Sequence, residues 1–261
     1  MIHLIHSGNR HLYADALDNL HAARHRHFVV ERGWPLDHRD GRERDAYDDA
    51  QALHLVSVDA NGDIGVSCRV RPTLTGGVLP DHFPNLLDAG APSLRAPHVY
   101  ECTRYFAAPH LRGRRGFALR SRLHIALLEL MILRRAERLF GFVDLPLLGH
   151  LRRYSGLRLR PIGTPQPYDD VGVAVAFEIG VTAADLSWAR QRLDQPGRSL
   201  FDCPPWLPET LAPAPLAELL DVFLNVDGGQ ADLLDAARRL AGREGRRDAG
   251  RAYARLRNDA A

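Results

Sequence analysis

The chain has 261 residues, with 34 basic and 32 acidic side chains, 13 histidines, three cysteines and 45% apolar residues. That supplies one generous domain core, with or without an appendage, while a net charge of +2 is too even for a dedicated nucleic-acid binder. No apolar run approaches the roughly 20 residues of a membrane span, and MIHLIHSGNRHLY lacks the charged-then-apolar order of a signal peptide.

Leu12, Leu17, Leu20, Ala23, Phe28 and Val29 fall close to helical spacing and predict a first helix over 11–31, stopped at Gly33. Trp34-Pro35 opens residues 35–50, which are too charged for a core and read as a long exposed loop. Such loops carry function more often than not. Leu53–Val58, the Asn61-Gly62 turn signal and Ile64–Val70 predict a β-hairpin. Residues 72–97, rich in proline and glycine, read as an irregular excursion, and His98–Ala107 as a third strand. Gly116–Leu139 gives the strongest helix, with Leu119, Leu123, Leu127, Leu130, Met131 and Leu133 on one broad face.

Phe140–Leu145 reads as a short buried strand, and Pro146 sits well at the first turn of a helix over Leu147–Tyr154. Leu157–Ile162 and Val171–Ile179 are two further strands. This order predicts an α/β fold on a mixed central sheet over residues 1–194. Residues 195–215 read as a proline-rich linker and 216–261 as a helical extension. Its stripes, through Leu216, Leu219 and Phe223 and through Leu233, Ala237 and Leu240, are too small to fold alone. They would pack on the parent domain, on a second copy as a homodimer, or on a partner.

The chain contains no lysine, which excludes Schiff-base chemistry, a lysine base and a P-loop lysine. Cys68, Cys102 and Cys203 form no CxxC pair, as expected of a reduced cytoplasmic chain. His21 and His25 have metal-ligand spacing but no third partner at a convincing distance, so no metal is expected.

Arg69, Glu101 and Arg104 lie on core-forming strands, where a charge costs several kcal/mol unless it is paired. Arg24 and Phe28 share a helical face, Trp34 follows, and the exposed loop offers Glu43, Asp45 and Asp48. Aromatic faces beside carboxylates suit a flat, cationic ligand. The set fits a molecule carrying a cation, a carboxylate and an aromatic ring. Glu101 and Arg104 would point to opposite faces of a regular strand, so a shared site requires a β-bulge near Cys102–Thr103.

The pattern Arg24-x3-Phe28-x5-Trp34, Glu43-x-Asp45-x2-Asp48, Arg69, Phe83 and Glu101-x2-Arg104 resembles that of the acyl-homoserine-lactone synthases, bacterial autoinducer synthases with a GNAT-like acyltransferase fold. Gly65–Thr73 resembles the family's G-x-x-R-x-x-P-T strand end, and Tyr100–Phe106 its E-x-S-R-F stretch. The likeness spans about residues 5–190; Tyr47 stands where Phe is usual and Thr103 where Ser is common.

The resemblance implies an acyltransferase of quorum sensing with no permanently bound cofactor. It would join an acyl thioester to the amine of S-adenosylmethionine, then close a lactone with loss of methylthioadenosine. Phe28, Trp34 and Phe83 would wall the adenosylmethionine pocket. Arg24 and Arg104 would pair with its carboxylate or with neighbouring acids, and Asp45 and Asp48 would order the loop and hold the cation. Arg69 would brace the acids. Glu101, with Glu43 as second candidate, would take the proton from the amine. The acyl chain would lie against Thr103, Tyr105, Leu123, Leu127, Met131 and Phe142. Members making 3-oxo products often carry Thr or Ser in the strand where Gly141 and Phe142 stand, so a chain without that oxygen is expected. Arg112, Arg115 and Gly116 fall in a turn similar to the GNAT phosphate loop. The donor would be a coenzyme A thioester or an acidic acyl carrier protein. The alternative is a GNAT enzyme that acylates another small amine from acyl-coenzyme A, which gives Arg24, Trp34, Asp45 and Asp48 no reason to be present.

Overall fold

A computed structural model of the chain describes residues 1–59, 62–168 and 172–202. The expected helical extension, and the linker from 203 onward, lie outside the described residues. The strands are β1 (Ile2–Ile5), β2 (His38–Arg39), β3 (Arg42–Glu43), β4 (Leu53–Val58), β5 (Ile64–Pro72) and β6 (Val99–Ala107). They continue with β7 (Arg138–Asp144), β8 (Leu159–Pro161), β9 (Gln166–Tyr168), β10 (Gly172–Ile179) and β11 (Leu200–Asp202). The helices are α1 (Ala14–Arg24), α2 (Val78–His82), α3 (Gly113–Leu133), α4 (Leu145–Tyr154) and α5 (Ala183–Leu193).

Nine strands form one mixed sheet in the order β11-β1-β4-β5-β6-β7-β10-β8, with β9 also on β10. β1 pairs parallel with β11 and β6 parallel with β7; the other pairings are antiparallel. This is the expected α/β mixed sheet, with three additions, one of them β9 (Gln166–Tyr168) on β10. The N-terminal residues form a strand beside β4, and Leu200–Asp202 form an edge strand where a linker was expected.

One face of the sheet is covered by α3, whose Leu123, Leu127, Leu130 and Met131 pack with Leu55, Val66 and Val70. Burying leucines of that size stabilises by about 1.5–3 kcal/mol each. The helix differs from its expected bounds at both ends. It starts at Gly113, which takes φ +62°, and it ends at Leu133, after which Arg135 takes φ +51° and the chain turns into β7. Gly116 is required within its first turn, because a Cβ there would come within 2.2 Å of the Leu111 carbonyl oxygen. The other face carries α1, which continues from His25 to Glu31 in wider π-helical turns. Tyr13, Leu20 and Phe28 pack there on Ile5, Val56 and Phe106. The excursion over 72–97 contains α2 and a short 3-10 turn, which pack through Leu79 and Leu86 on Phe140 and Ala176.

Candidate active site

Three arginines and three carboxylates from four separate segments close into a ring of ion pairs. Arg24 donates through Nε to Glu43 (2.6 Å) and through both terminal nitrogens to Asp48 (2.7 and 2.9 Å). Glu43 accepts at its other oxygen from Arg104 (2.9 Å), and Arg104 also donates to Asp45 (2.9 Å). Asp45 is held bidentately by Arg69 (2.5 and 3.0 Å), and Arg69 returns to Asp48 at 3.0 Å. Arg24, Arg69 and Glu43 are at most 1% exposed. Burial alone would raise the pKa values of Asp45 and Asp48, but the Arg69 and Arg24 guanidiniums outweigh it and hold both carboxyls below the usual range. His54, 3.8 Å from Asp48, is kept neutral by burial, with its pKa lowered to about 3.

Strand β6 carries the bulge that a shared site demands. Arg69 faces Thr103 and Ser67 faces Phe106, so two steps along β5 match three along β6. The irregularity falls at Arg104, one residue beyond the expected place, and Arg104 takes φ +52°. Thr103 accepts from Arg69 (3.1 Å) while Arg104 reaches Asp45 on that same Arg69, so both side chains work on one face.

Glu101 has a different neighbourhood from the ring. Its carboxylate oxygens accept the backbone N–H groups of Val78 (2.8 Å) and Leu79 (2.6 Å), anchoring the start of α2. Gly77 must lack a side chain for this approach, since a Cβ would lie 2.6 Å from Glu101 Oε2. Burial raises the Glu101 pKa above its ordinary value, against the lowering effect of the two amides.

Beside the ring lies a hollow of about 460 Å³. Of the residues singled out in the sequence, Phe28, Trp34, Asp45, Phe83, Thr103, Arg104, Tyr105, Leu127 and Phe142 line it. Arg24, Glu43, Asp48, Arg69 and Glu101 stand behind that lining. Leu123 and Met131 are buried in the core with no part in the lining. The rings of Phe28 and Trp34 stack at 5.2 Å and 21°, fixed by a hydrogen bond from the Trp34 amide to the Phe28 carbonyl. The Arg104 guanidinium lies 5.7 Å from the Phe28 ring centre. Several lining residues carried no sequence signal of their own: Arg32, which bonds Asp144 at 3.1 Å, His82, which contacts the Tyr47 hydroxyl at 3.0 Å, and Tyr168 and Phe177.

The hollow reaches both faces of the sheet where two central strands part. β6 and β7 pair only between Val99–Glu101 and Arg138–Phe140. Beyond that point Cys102 and Thr103 on one side, and Phe142 and Val143 on the other, border the hollow. It touches aromatic residues of the α1 side and, towards α4, Leu147, Leu151, Leu157 and Phe177. One mouth can therefore take a flat polar molecule and the other an apolar chain. Arg112, Arg114 and Arg115 are exposed around the start of α3, outside this lining. His21 donates from Nδ1 to the Glu43 backbone carbonyl at 3.1 Å and His25 packs on His38, so the pair spaced for a metal is divided between two other tasks.

A family model described as "Autoinducer synthase" matches residues 9–184. An isovaleryl-homoserine lactone synthase of Bradyrhizobium diazoefficiens is 32% identical over 196 residues, covering 74% of this chain and 83% of that one. An acyl-homoserine-lactone synthase of Ralstonia nicotianae is 36% identical over 165 residues, 61% of this chain and 79% of that one. Among solved structures, a CoA-dependent acyl-homoserine lactone synthase with SAM and isopentyl-CoA superposes with a TM-score of 0.71 at 28% identity, covering 80% of this chain and 96% of that chain. A second CoA-dependent acyl-homoserine lactone synthase gives a TM-score of 0.66 at 28% identity over 77% and 98%.

Proposed function

The chain belongs to the autoinducer synthase family, and from that premise we propose that it acylates the amine of S-adenosylmethionine from an acyl-coenzyme A thioester and closes the product to an acyl-homoserine lactone. The observation that carries this reading is the hollow itself, open to an aromatic, charged face on one side of the sheet and a leucine-rich face on the other. The adenosyl group takes the Phe28, Trp34 and Phe83 side, where ring faces and the Asp45 carboxylate attract a sulfonium. Arg104 meets the amino-acid carboxylate, because it is the ring arginine that also lines the hollow. Arg24 and Arg69 hold the ring acids in place.

The acyl thioester lies in the gap between β6 and β7, with its chain towards Leu127, Leu151 and Phe177. Its phosphates rest on the start of α3, where free backbone N–H groups and Arg112, Arg114 and Arg115 supply positive charge. The unpaired backbone of β6 beside the gap offers N–H donors to the tetrahedral oxyanion. Glu101 takes the proton of the attacking amine through one water. Each of its oxygens keeps a second lone pair beyond the amide it accepts, and its raised pKa suits a base working near neutrality. Lactone closure follows as an intramolecular displacement at the carbon activated by the sulfonium, and positioning suffices for it.

The test is turnover with S-adenosylmethionine and a panel of acyl-coenzyme A and acyl-carrier thioesters. Release of methylthioadenosine together with free thiol supports the proposal; free thiol without methylthioadenosine points to acylation of another amine, the reading that the paired aromatic rings and acids disfavour. Glu101→Gln should lower kcat for amide formation by about 10²–10⁴-fold with the far-ultraviolet circular dichroism unchanged. Wild-type rates in that variant would remove Glu101 from the chemistry.

A further inference from the structure

Away from the hollow, a groove of about 720 Å³ lies where α4, α5 and the edge strand β8 meet. Arg152, Arg158, Arg160 and Arg192 line it, against two carboxylates, Glu137 and Glu178. Glu178 is already met by Arg138 and Arg160. Arg158 lies 5.0 Å from the ring centre of Trp188 and pairs with Asp185 at 3.5 Å. Arg192 donates to the Arg153 backbone carbonyl at 3.0 Å, and neither it nor Arg152 meets a carboxylate among the described residues. Trp188 is 42% exposed here. The groove offers unanswered positive charge around an indole face, and the reaction proposed above does not use it.

The chain carries a segment of matching chemistry. Residues 203–237 contain six acidic side chains and no basic one, whereas 238–261 hold eight arginines against three acids. Within the acidic part, Leu216, Leu219, Leu220, Phe223 and Leu224 make the apolar stripe, and Glu218, Asp221 and Asp227 carry the charge. Such a stripe gains by burial, and opposite charges on the two surfaces fix where it settles.

The reach is sufficient. β11 and β8 are opposite edges of the sheet, seven strand steps or about 34 Å apart. From Asp202 to Leu216 there are fourteen residues, five of them proline, and a proline-rich stretch of that length extends to about 43 Å. One face of the sheet supplies the path. Ala189 and Leu193 of α5 pack in the same core as α3, and Glu129 of α3 accepts from the Ser199 and Leu200 amides at the entry to β11 (3.1 and 2.7 Å).

We propose that residues 216–227 dock in the arginine groove of their own chain, with the apolar stripe on Trp188 and the acids towards Arg152 and Arg192. The run after 238 has the wrong sign for this surface. The inference does not depend on the activity proposed above.

The experiment is hydrogen–deuterium exchange on the full chain, read by mass spectrometry on peptides covering 216–227, at two protein concentrations. In the wild type these amides should exchange more slowly than those of 241–261, equally at both concentrations. Reversing the groove with Arg152→Glu and Arg192→Glu should speed their exchange about tenfold, as two exposed ion pairs turn into repulsions. Peptides of β5 and α3 should stay unchanged, which shows that the fold is intact. Adding Glu218→Arg and Asp221→Arg to that variant should restore the slow exchange. Amides of 216–227 that exchange as fast as those of 241–261, or that ignore the groove reversal, overturn the proposal. So does a loss that the second reversal fails to repair, or protection that grows with concentration, which would place the segment on a second copy. The readout needs no substrate, so its failure leaves the proposed activity untouched.

Discussion

The ion-pair ring and the hollow share Asp45 and Arg104, yet they obey opposite rules. In the ring every charge is answered by another side chain: Arg24, Glu43, Asp48 and Arg69 are almost wholly withdrawn from solvent. In the hollow, aromatic and aliphatic surfaces are left without protein partners on one side. The difference separates two meanings of a charged motif. Most acids and arginines that mark this chain in sequence act on each other within the segment over 35–50 and its neighbours, while Phe28, Trp34, Asp45, Phe83 and Arg104 line the hollow.

The contrast can be broken most severely from the ring side. Replacing Arg24 by Ala strands Glu43 and Asp48 as buried, partly unpaired carboxylates, and should cost about 3–5 kcal/mol of stability, read as a lower urea midpoint. A loss of adenosylmethionine binding at full stability would instead make Arg24 a ligand group. Next in size is the acid response. His54 has a pKa near 3 in the folded chain against an ordinary value of 6.5. The unfolded chain therefore binds the extra proton between those values, and stability falls as pH drops through that window. The slope is at most roughly 1.4 kcal/mol per pH unit for this histidine. Asp45 and Asp48, whose folded pKa values are depressed, add their loss only below their ordinary value of 3.8. Urea midpoints from pH 7 to 4 should decline in wild type and decline less in His54→Gln.

The smallest effect on the fold belongs to the hollow. Trp34→Ala should weaken adenosylmethionine binding by about 1–2 kcal/mol, the worth of an aromatic face against a cation, with a melting temperature close to wild type. Calorimetric titration checks it. A variant that binds normally but unfolds easily would assign Trp34 to packing rather than to the ligand.

Much of the architecture was legible because it rests on local pattern. The hairpin of β4 and β5 announced itself by alternation, and α3 by its leucine stripe; the bulge followed from the odd spacing of Glu101 and Arg104 on a strand. What escaped depends on distant partners. Ile2–Ile5 and Leu200–Asp202 are too short to show a period, and they become strands because Ile2–Ile5 pairs with β4 and Leu200–Asp202 pairs in turn with Ile2–Ile5. Glu101 gave no sign in sequence that it would hold α2, since a five-residue helix within a proline- and glycine-rich stretch has no periodicity to read. His124, which lines the hollow from α3, was hidden by its neighbours: among leucines at helical spacing, one histidine does not disturb the apolar stripe.

The closure of the ring also bears on how the protein meets its surroundings. Three positive and three negative groups sum to zero, and four of them, Arg24, Glu43, Asp48 and Arg69, lie beneath the surface, so dissolved ions screen their pairs far less than exposed ones. The scaffold under the hollow should hold its shape from dilute buffer to concentrated brine, leaving the Arg104–Asp45 pair in its lining and rim contacts such as that of Arg32 with Asp144 to respond to ionic strength.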